Sequence, residues 1–391
     1  MSTTHHSTHH LGHHLGHHLG HGPDRPELRR AIEEIAESGF LGVQVRVNDA
    51  RGEWVGSAGA RELGRDGRPP ADGHFRVGSV TKSFVATSVL LLVAEGRLAL
   101  DDPAGDHLPG FGLDRRITVR MLLQHTSGVF NHTGEPAEDG TFVPGVPWRG
   151  KEWVDARFRT YPPEELVRLS LSRPARFAPG AGWSYSNTNY VLARLVVERV
   201  SGRPFAEELR RLVLEPLGLT GTVAPGASPE VPAPHARSYY RYEDAGRERT
   251  LDVTRHDPSW VAAGGDMIST TRDLHTYVSA LLGGRLLPPG LLAEMRTPEA
   301  TIGYGLGLFA QEREGGTVFH HNGATIGSAA LMYGSPDGGT TLTAGLNYVD
   351  DADVSIAAAF QSAQRRLVDE VFGTGTGPTA SGRTASARTA G

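Results

Sequence analysis

Strand patterns lie at both ends of this sequence, and helical patterns fill the long stretch between them. Near the start, apolar residues at 41, 43, 45 and 47 alternate with polar ones, which predicts a half-buried strand. Strand signals return at about 305–310, 317–322, 327–333 and 341–346, and a helical pattern follows from about residue 352. Strands at both ends most simply meet in one sheet. The sequence therefore predicts an α/β fold, in which an antiparallel sheet flanked by helices packs beside a mostly helical central region.

The composition separates one globular region from two tails. Residues 1–22 carry His-His pairs every four residues, and residues 373–391 are rich in Gly, Thr, Ser and Ala, so both predict disordered tails. Clustered imidazoles could instead capture zinc, nickel or copper, and this alternative stays open for the first tail. The single domain between the tails spans 23–372, with sheet residues at about 23–75 and 300–372 and helical residues at about 76–299.

Bulk properties exclude several classes of function. A formal net charge of −5 provides no basic surface for nucleic acid, and no apolar run approaches the roughly 18 residues of a membrane span. The absence of cysteine excludes a thiol nucleophile, a disulfide framework and thiolate zinc sites. No secretory signal is visible, so a cytoplasmic protein is expected, with secretion as the alternative if the start is trimmed or misassigned. The sequence carries no signal for an oligomeric state.

The strongest candidate for chemistry is a serine followed three residues later by a lysine, Ser79 and Lys82, at the start of an apolar helix pattern that ends at Gly96. Residues i and i+3 share a helix face, so the two side chains can touch. A serine hydroxyl needs a base to become a nucleophile, and lysine can be that base where burial lowers its pKa. Among 39 basic residues, the two lysines are Lys82 and Lys151. The pattern favours an activated nucleophile over an accidental pair on a core helix.

A second motif, Tyr185-Ser186-Asn187, ends a glycine-rich loop before a predicted helix. A tyrosine phenol beside a lysine could move a proton between nucleophile and leaving group, and an asparagine amide could hold an amide of the substrate. A polar turn before a helix is the alternative interpretation of the same residues.

A third motif, His321-Asn322-Gly323, lies beside a strand of the C-terminal part. A strand edge can supply a backbone N–H to an oxyanion, and glycine lets a substrate approach closely. A histidine in this place is more often structural than catalytic. A Ser-His-Asp triad with His125 or His321 as base is a rival arrangement, although the pattern Gly-x-Ser-x-Gly is absent around Ser79.

In this order, the patterns S-x-x-K, Y-x-N and H-x-G resemble those of the serine β-lactamase and DD-peptidase superfamily. The likeness runs from about residue 25 to 370 and is strongest to class C β-lactamases, family VIII-type esterases and secreted actinobacterial D-alanyl-D-alanine carboxypeptidases. It implies a β-lactamase/DD-peptidase-like fold and a serine hydrolase or acyltransferase acting on an ester, amide or peptide bond. The substrate would be a small-molecule or peptide acyl compound, and no metal or organic cofactor is implied.

The resemblance also implies roles for single residues. Ser79 would form the acyl-enzyme, while Lys82 and Tyr185 would share the acid–base work. The remaining roles are oxyanion donation by the backbone N–H groups of Ser79 and Ala324, and substrate binding by Asn187, His321, Asn322 and Gly323.

The sequence departs from these relatives where a terminal carboxylate would bind. The carboxypeptidases that this chain resembles have a hydroxyl residue after the histidine of H-x-G, where this chain has Asn322. They have an arginine after the Gly-Tyr-Gly-Leu-Gly-Leu run, where this chain has Phe309. Arg313 and Arg255 are candidate replacements. We therefore expect an uncharged ester, amide or acyl donor. A D-alanyl-D-alanine carboxypeptidase or β-lactamase, a biosynthetic transacylase and a non-catalytic penicillin-binding-type sensor remain alternatives.

Overall fold

The computed structural model of the chain describes residues 20–137 and 139–375. The two predicted tails lie outside the described residues except at their inner ends. There, Gly20–His21 pairs with the strand Gly52–Gly59, and Gly375 forms a bridge with Arg313. Described strands and bridges therefore extend to residues 20 and 375, and the domain limits of 23 and 372 remain a prediction.

One large sheet joins both ends of the chain, which confirms the predicted architecture. The strands of the described residues are β1 (Gly20–His21), β2 (Phe40–Asp49), β3 (Gly52–Gly59), β4 (Phe75–Arg76), β5 (Glu135–Pro136), β6 (Phe142–Val143), β7 (Tyr239–Asp244), β8 (Arg247–Asp252), β9 (Ile268–Ser269), β10 (Phe309–Arg313), β11 (Gly316–His320), β12 (Gly323–Thr325), β13 (Ser328–Gly334) and β14 (Thr341–Asp351). The sheet has the order β1-β3-β2-β14-β13-β11-β10, with β12 paired to β13. Strands β2 and β14 are antiparallel neighbours, so strands from the two ends of the chain meet near the centre of the sheet.

Helices cover both faces of this sheet. They are α1 (Pro26–Glu37), α2 (Thr81–Ala94), α3 (Ala104–His107), α4 (Val119–Gln124), α5 (Gly150–Ala156), α6 (Pro163–Leu171), α7 (Asn187–Ser201), α8 (Phe205–Leu209), α9 (Glu215–Leu217), α10 (Thr271–Leu282), α11 (Pro289–Arg296) and α12 (Ala357–Phe372). The last helix begins later than residue 352, because Asp351 Oδ1 first accepts the backbone N–H groups of Asp353 and Ser355 in a turn. No helix among the described residues combines the length and apolarity that a membrane span requires.

Two apolar cores lie on opposite faces of the sheet. Along β13, Ala329, Leu331 and Tyr333 pack into the core that α1 and α12 cover, whereas Ala330 and Met332 face the core of the helical region. This alternation follows from the two-residue period of a strand. The helical region is therefore attached to one face of the sheet, and the segment that carries Ser79 lies at the junction.

Strand β2 is buried on both faces, whereas its alternating pattern predicts burial on one face only. Val45 is fully buried, but Gln44 and Arg46 on the opposite face are also only 4% and 1% exposed. The Arg46 guanidinium bonds to the carboxylates of Glu53 and Asp72, and the ion pairs compensate its burial. The polar residues of the pattern therefore face a second layer of protein instead of solvent.

The central region, which the sequence predicts to be mostly helical, also contributes a hairpin to the sheet. The hairpin β7–β8 lies within 76–299, and β7 runs parallel to the end of β14, with Tyr239 opposite Val349. Most residues of β8 are exposed and polar. A strand of this kind lacks the apolar alternation by which strands are recognised.

Candidate active site

Ser79 lies where strand β4 leads into helix α2. Residues Gly78–Val80 form a 3-10 turn and α2 begins at Thr81, so the helix starts two residues later than predicted. This turn still brings the two side chains together, and Lys82 Nζ lies 3.1 Å from Ser79 Oγ. Ser79 is partly exposed and Lys82 is fully buried. The hydroxyl is therefore open to a substrate, while the amine behind it is shielded from water.

Lys82 Nζ faces three oxygen atoms. Besides Ser79 Oγ, it lies 2.7 Å from Asn187 Oδ1 and 2.5 Å from the carbonyl oxygen of Gly264. Burial holds the pKa of Lys82 well below its usual range, and the charge of Asp266 offsets part of this effect. A neutral amine has two N–H groups and one lone pair. Two carbonyl oxygens accept the N–H groups, which leaves the lone pair for the Ser79 proton and fits a general base.

Tyr185 approaches Ser79 from the loop before α7. Its Oη donates to Ser79 Oγ at 2.7 Å, and Lys82 Nζ lies 4.6 Å from the centre of its ring. Burial raises the pKa of Tyr185 above its usual value, although the hydrogen bond to Ser79 works in the opposite direction. The phenol therefore keeps its proton and acts as a donor towards the nucleophile.

Asn187 uses both ends of its side-chain amide within the protein. Its Oδ1 accepts from Lys82, and its Nδ2 donates to Thr133 Oγ1 at 3.2 Å. The backbone N–H of Asn187 donates to Asn131 Oδ1 at 3.0 Å. These contacts fix the amide in an orientation that presents its oxygen to Lys82. The binding of a substrate amide by Asn187 remains a prediction.

Strand β12 crosses the backbone next to Ser79 at very short range. A Cβ atom on Gly323 would lie 2.5 Å from Ser79 N, and one on Gly78 would lie 2.6 Å from Ala324 N. Gly78 also has a φ of 51°, which favours glycine. Glycine at both positions thus allows the two segments to meet. Because the two segments are in contact, the backbone N–H groups of Ser79 and Ala324, which are the predicted oxyanion donors, lie on adjacent stretches of backbone.

His321 and Asn322 use their side chains in contacts within the protein. His321 Nε2 lies 3.2 Å from Tyr304 Oη, its Nδ1 lies 2.8 Å from the Asn322 carbonyl, and the ring is 1% exposed. Burial is the largest cause that lowers the pKa of His321 to about 3, so the ring is neutral near neutral pH. Asn322 Nδ2 donates to Tyr333 Oη at 2.7 Å. Their contact with a substrate remains a prediction.

The two histidines considered as rival bases are engaged elsewhere. The His125 ring packs against Tyr185 with 4.4 Å between ring centres. Its Nδ1 accepts from the Ser186 backbone at 3.3 Å and from Asn189 Nδ2 at 3.1 Å. In the part of the chain that the structure describes, neither His125 nor His321 forms a hydrogen bond with Ser79. The geometry therefore favours Lys82 as the base.

Groups that the sequence analysis did not identify also shape the site. The carbonyl of Gly264 and the hydroxyl of Thr133 hold Lys82 and Asn187 in place. A backbone carbonyl leaves no signature in a sequence, and Thr133 lies in a loop of ordinary composition. Asp266 does leave a signal, because it is the one charged residue in the otherwise apolar and glycine-rich run Val261–Ile268.

Comparison with known proteins gives a family match over most of the chain. The model of the Beta-lactamase family matches residues 28–365. Esterase EstB from Burkholderia gladioli is 40% identical over 176 residues, which are 44% of this chain and 43% of the esterase. Penicillin-binding protein 4 from Amycolatopsis lactamdurans is 34% identical over 153 residues, which are 38% of this chain and 35% of that protein. This chain spans about half the length of the first curated relatives that it matches.

Solved structures match over a larger share of the chain. A D-stereospecific amidohydrolase from Streptomyces sp. is 36% identical, with a TM-score of 0.77 over 90% of this chain and 100% of that one. The D-amino acid amidase from Ochrobactrum anthropi SV3 is 25% identical, with a TM-score of 0.74 over 88% of this chain and 96% of that one. Because the family match spans the strands at both chain ends as well as the helical region between them, the predicted resemblance is confirmed and the chain belongs to the Beta-lactamase family.

Proposed function

We propose that this chain is a serine hydrolase that forms an acyl-enzyme on Ser79 and cleaves esters or amides whose leaving group carries no carboxylate. The observation that carries the proposal is the position of Ser79 Oγ, 3.1 Å from Lys82 Nζ and 2.7 Å from Tyr185 Oη. A nucleophile within reach of both a base and a proton donor is what acyl transfer requires. Membership of the Beta-lactamase family supports the same chemistry.

Acylation removes one proton from Ser79 and delivers one to the leaving group. Neutral Lys82 accepts the hydroxyl proton while Ser79 Oγ forms a bond to the carbonyl carbon of the substrate. The carbonyl oxygen becomes an oxyanion, which the backbone N–H groups of Ser79 and Ala324 stabilise. As the C–N or C–O bond breaks, the leaving group takes a proton from Tyr185. The Lys82 ammonium then passes the proton that it took from Ser79 to Tyr185, so that Lys82 is neutral and Tyr185 is protonated again.

Deacylation runs the same steps with water as the nucleophile. The water loses a proton to Lys82 as its oxygen bonds to the acyl carbon. The bond between that carbon and Ser79 Oγ then breaks, and Oγ takes the proton from the Lys82 ammonium, which leaves Lys82 neutral again. The acid leaves and the starting state of the site is restored.

The sheet edge supports an uncharged leaving group. Phe309 is partly exposed, with its ring 4.5 Å from that of Tyr304 and 5.3 Å from that of His320. Arg313 is buried and bonds to the carbonyl of Gly373. The edge therefore offers aromatic surface at the position where an arginine would hold a carboxylate.

The second candidate for a carboxylate anchor is also engaged. Arg255 pairs with Glu230, with Nε 2.9 Å from Oε1. The positive charge of Arg255 is therefore already balanced by the Glu230 carboxylate, and a substrate carboxylate would have to displace Glu230 to bind there.

The acyl group is proposed to come from a D-amino acid. Two structural neighbours that match nearly their whole length are a D-stereospecific amidohydrolase and a D-amino acid amidase. The first name states a D-stereospecific hydrolysis of amides, and the second states an amidase for D-amino acids. This agrees with the apolar sheet edge, and it makes a D-aminoacyl amide or ester the substrate to test first.

The experiment compares kcat/KM for D-phenylalanine amide, L-phenylalanine amide, p-nitrophenyl butyrate and a D-Ala-D-Ala peptide on one preparation. We expect the D-amide and the ester to exceed both the L-amide and the peptide. Ser79→Ala is expected to lower all rates by at least about 10⁴-fold, because the covalent route is lost. Efficient release of D-alanine from the peptide would contradict the proposed leaving group, and retained activity in Ser79→Ala would contradict the mechanism.

Mass spectrometry of the protein during turnover separates the remaining alternatives. A transient acyl adduct on Ser79 with free acid as product supports the hydrolase. An adduct that an added amine captures in preference to water indicates a transacylase. A stable adduct without turnover indicates a sensor.

A further inference from the structure

Asp266 is a buried carboxyl group that the proposed mechanism does not use. Its side chain is 4% exposed, and its Oδ1 has no hydrogen-bond partner among the described residues. A buried carboxylate without partners is costly unless nearby cations compensate it. The charges near Asp266 therefore determine how far its carboxyl group is ionised.

The segment that contains Asp266 is fixed to the start of helix α2 on both sides. Two residues before it, the carbonyl of Gly264 accepts a hydrogen bond from Lys82 Nζ. One residue after it, the backbone N–H of Met267 donates to Thr81 Oγ1 at 3.2 Å. Asp266 is therefore held close to Lys82 by contacts that bracket it in the sequence.

Three cationic side chains from three elements lower the pKa of Asp266. The largest of these effects comes from Arg194 of α7, followed by Arg76 of β4 and Lys82 of α2. Burial is the larger effect and raises the pKa of Asp266 to about 7. Arg194 has a partner of its own, since its Nε lies 3.1 Å from Glu198 Oε1. Lys82 has no carboxylate within salt-bridge distance among the described residues, and Asp266 raises its pKa.

We propose that Asp266 is a positioning residue for Lys82, in that its carboxylate sets the charge state of the amine that accepts the Ser79 proton. Complete burial alone would make Lys82 a very weak base. A general base works best when its pKa lies near the working pH, and the negative charge of Asp266 moves Lys82 in that direction. The role of Lys82 as base rests on the proposed function, whereas the electrostatic coupling of the two side chains does not.

The sign of the effect follows from the two charges. Ionised Asp266 favours the ammonium form of Lys82, so loss of the Asp266 charge lets Lys82 lose its proton at a lower pH. The two groups titrate as a coupled pair, and protonation of Asp266 as the pH falls through about 7 withdraws the support that it gives to Lys82.

Lysine-selective ¹³C labelling and NMR titration test this coupling directly, because the chain contains two lysines. Lys151 is exposed and lies 2.9 Å from Asp155, so its signal is the internal reference. We expect the Lys82 midpoint in Asp266→Asn to fall by about one pH unit relative to the wild-type chain, while that of Lys151 stays in place. An unchanged Lys82 midpoint in folded Asp266→Asn would overturn the inference.

Matched variants separate charge from structure. Asp273 is also buried and burial also raises its pKa, but it accepts hydrogen bonds from Gly221 and Thr222. Asp273→Asn is expected to leave the Lys82 midpoint unchanged, and a shift equal to that of Asp266→Asn would overturn the inference. If Asp266→Asn does not fold, Asp266→Ser removes the same charge with a smaller side chain and carries the same expectation.

The kinetic counterpart is the acid limb of kcat/KM for p-nitrophenyl butyrate. We expect this limb to move to lower pH in Asp266→Asn together with the Lys82 midpoint, and the plateau to fall because the base is weaker. An inactive wild-type chain would refute the proposed function and leave the NMR test intact. An active wild-type chain whose acid limb does not move in Asp266→Asn would refute the inference alone.

Discussion

The helical side and the sheet side of the active-site cleft use their polar groups in different ways. On the helical side, Lys82 and Tyr185 both direct polar atoms at Ser79 Oγ, within 3.1 and 2.7 Å. On the sheet side, His321 and Asn322 bond to Tyr304 and Tyr333 instead, and the ring of Phe309 lies among them. The polar side chains of the helical side thus meet at the reacting atom, whereas those of the sheet side form hydrogen bonds with neighbouring side chains.

This difference in side-chain contacts separates activation of the nucleophile from recognition of the leaving group. In the proposed mechanism the helical side activates the serine whatever the substrate, and the sheet side adds the backbone N–H of Ala324 to the chemistry. The sheet side would have to recognise the leaving group, and it offers aromatic surface with neutral rings. Burial lowers the pKa of both His320 and His321 to about 3, so neither histidine brings a positive charge to this edge near neutral pH. Arg313 of this edge is buried and already pairs with Asp369, so a charged leaving group finds no free counter-charge among the described residues there.

The largest test of this comparison removes the base from the helical side. Lys82→Arg keeps a long basic side chain, but a guanidinium does not lose its proton in proteins and so cannot accept one from Ser79. We expect kcat/KM for p-nitrophenyl butyrate to fall by about 10³-fold, within the range of general-base contributions. The other lysine provides the control, because Lys151→Arg changes an exposed residue and should leave the rate unchanged. Near-wild-type activity in Lys82→Arg would show that the base lies elsewhere.

A smaller effect is expected when the proton donor is removed. Tyr185→Phe keeps the ring against Lys82 and His125 but removes the hydroxyl that donates to Ser79 Oγ. We expect kcat to fall by about 10²-fold, with a greater loss for amides than for p-nitrophenyl esters, because an amine must be protonated as it leaves. Single-turnover kinetics on both substrates measure this split.

Tyr190→Phe is the matched control for that variant. Tyr190 is buried beside the same lysine, but its Oη donates to the Leu123 carbonyl at 2.7 Å. Its loss should lower stability by about 1–3 kcal/mol and leave the ratio of amide to ester rates unchanged. Equal losses on the two substrates in Tyr185→Phe would argue that Tyr185 orients Ser79 without delivering a proton.

The parts of the site that sequence could predict are those fixed by local geometry. Ser79 and Lys82 are three residues apart, and a helical or 3-10 turn brings them together in any fold. Tyr185 is 106 residues from Ser79, so its approach depends on the packing of α7 against α2, and family resemblance had to supply it. Asp266 was missed for the same reason, because its charge gains meaning only next to Lys82.

In the fold, too, local features could be predicted from the sequence and features that depend on long-range packing could not. Patterns at the chain ends predict a shared sheet, and β2 beside β14 confirms it. The burial of both faces of β2 was not predictable, since helix α10, more than 200 residues further along the chain, packs on it, and ion pairs with Glu53 and Asp72 compensate the burial of Arg46. Local patterns thus identify the elements, whereas their packing decides which polar residues are covered.

The smallest expected effect tests the sheet side by adding the charge that it lacks. Phe309→Arg places a guanidinium at the partly exposed edge, where it can pair with a terminal carboxylate. A charge-assisted hydrogen bond contributes about 1.5–3 kcal/mol when fully formed, and solvent exposure at this edge reduces that contribution. We therefore expect about a tenfold rise in the ratio of kcat/KM for a D-Ala-D-Ala peptide to that for its C-terminal amide. Phe309→Leu opens the same space without charge and should leave the ratio unchanged. An equal rise in both variants would mean that the Phe309 ring excludes the peptide by its size, and the contrast between the two sides would then be one of shape instead of charge.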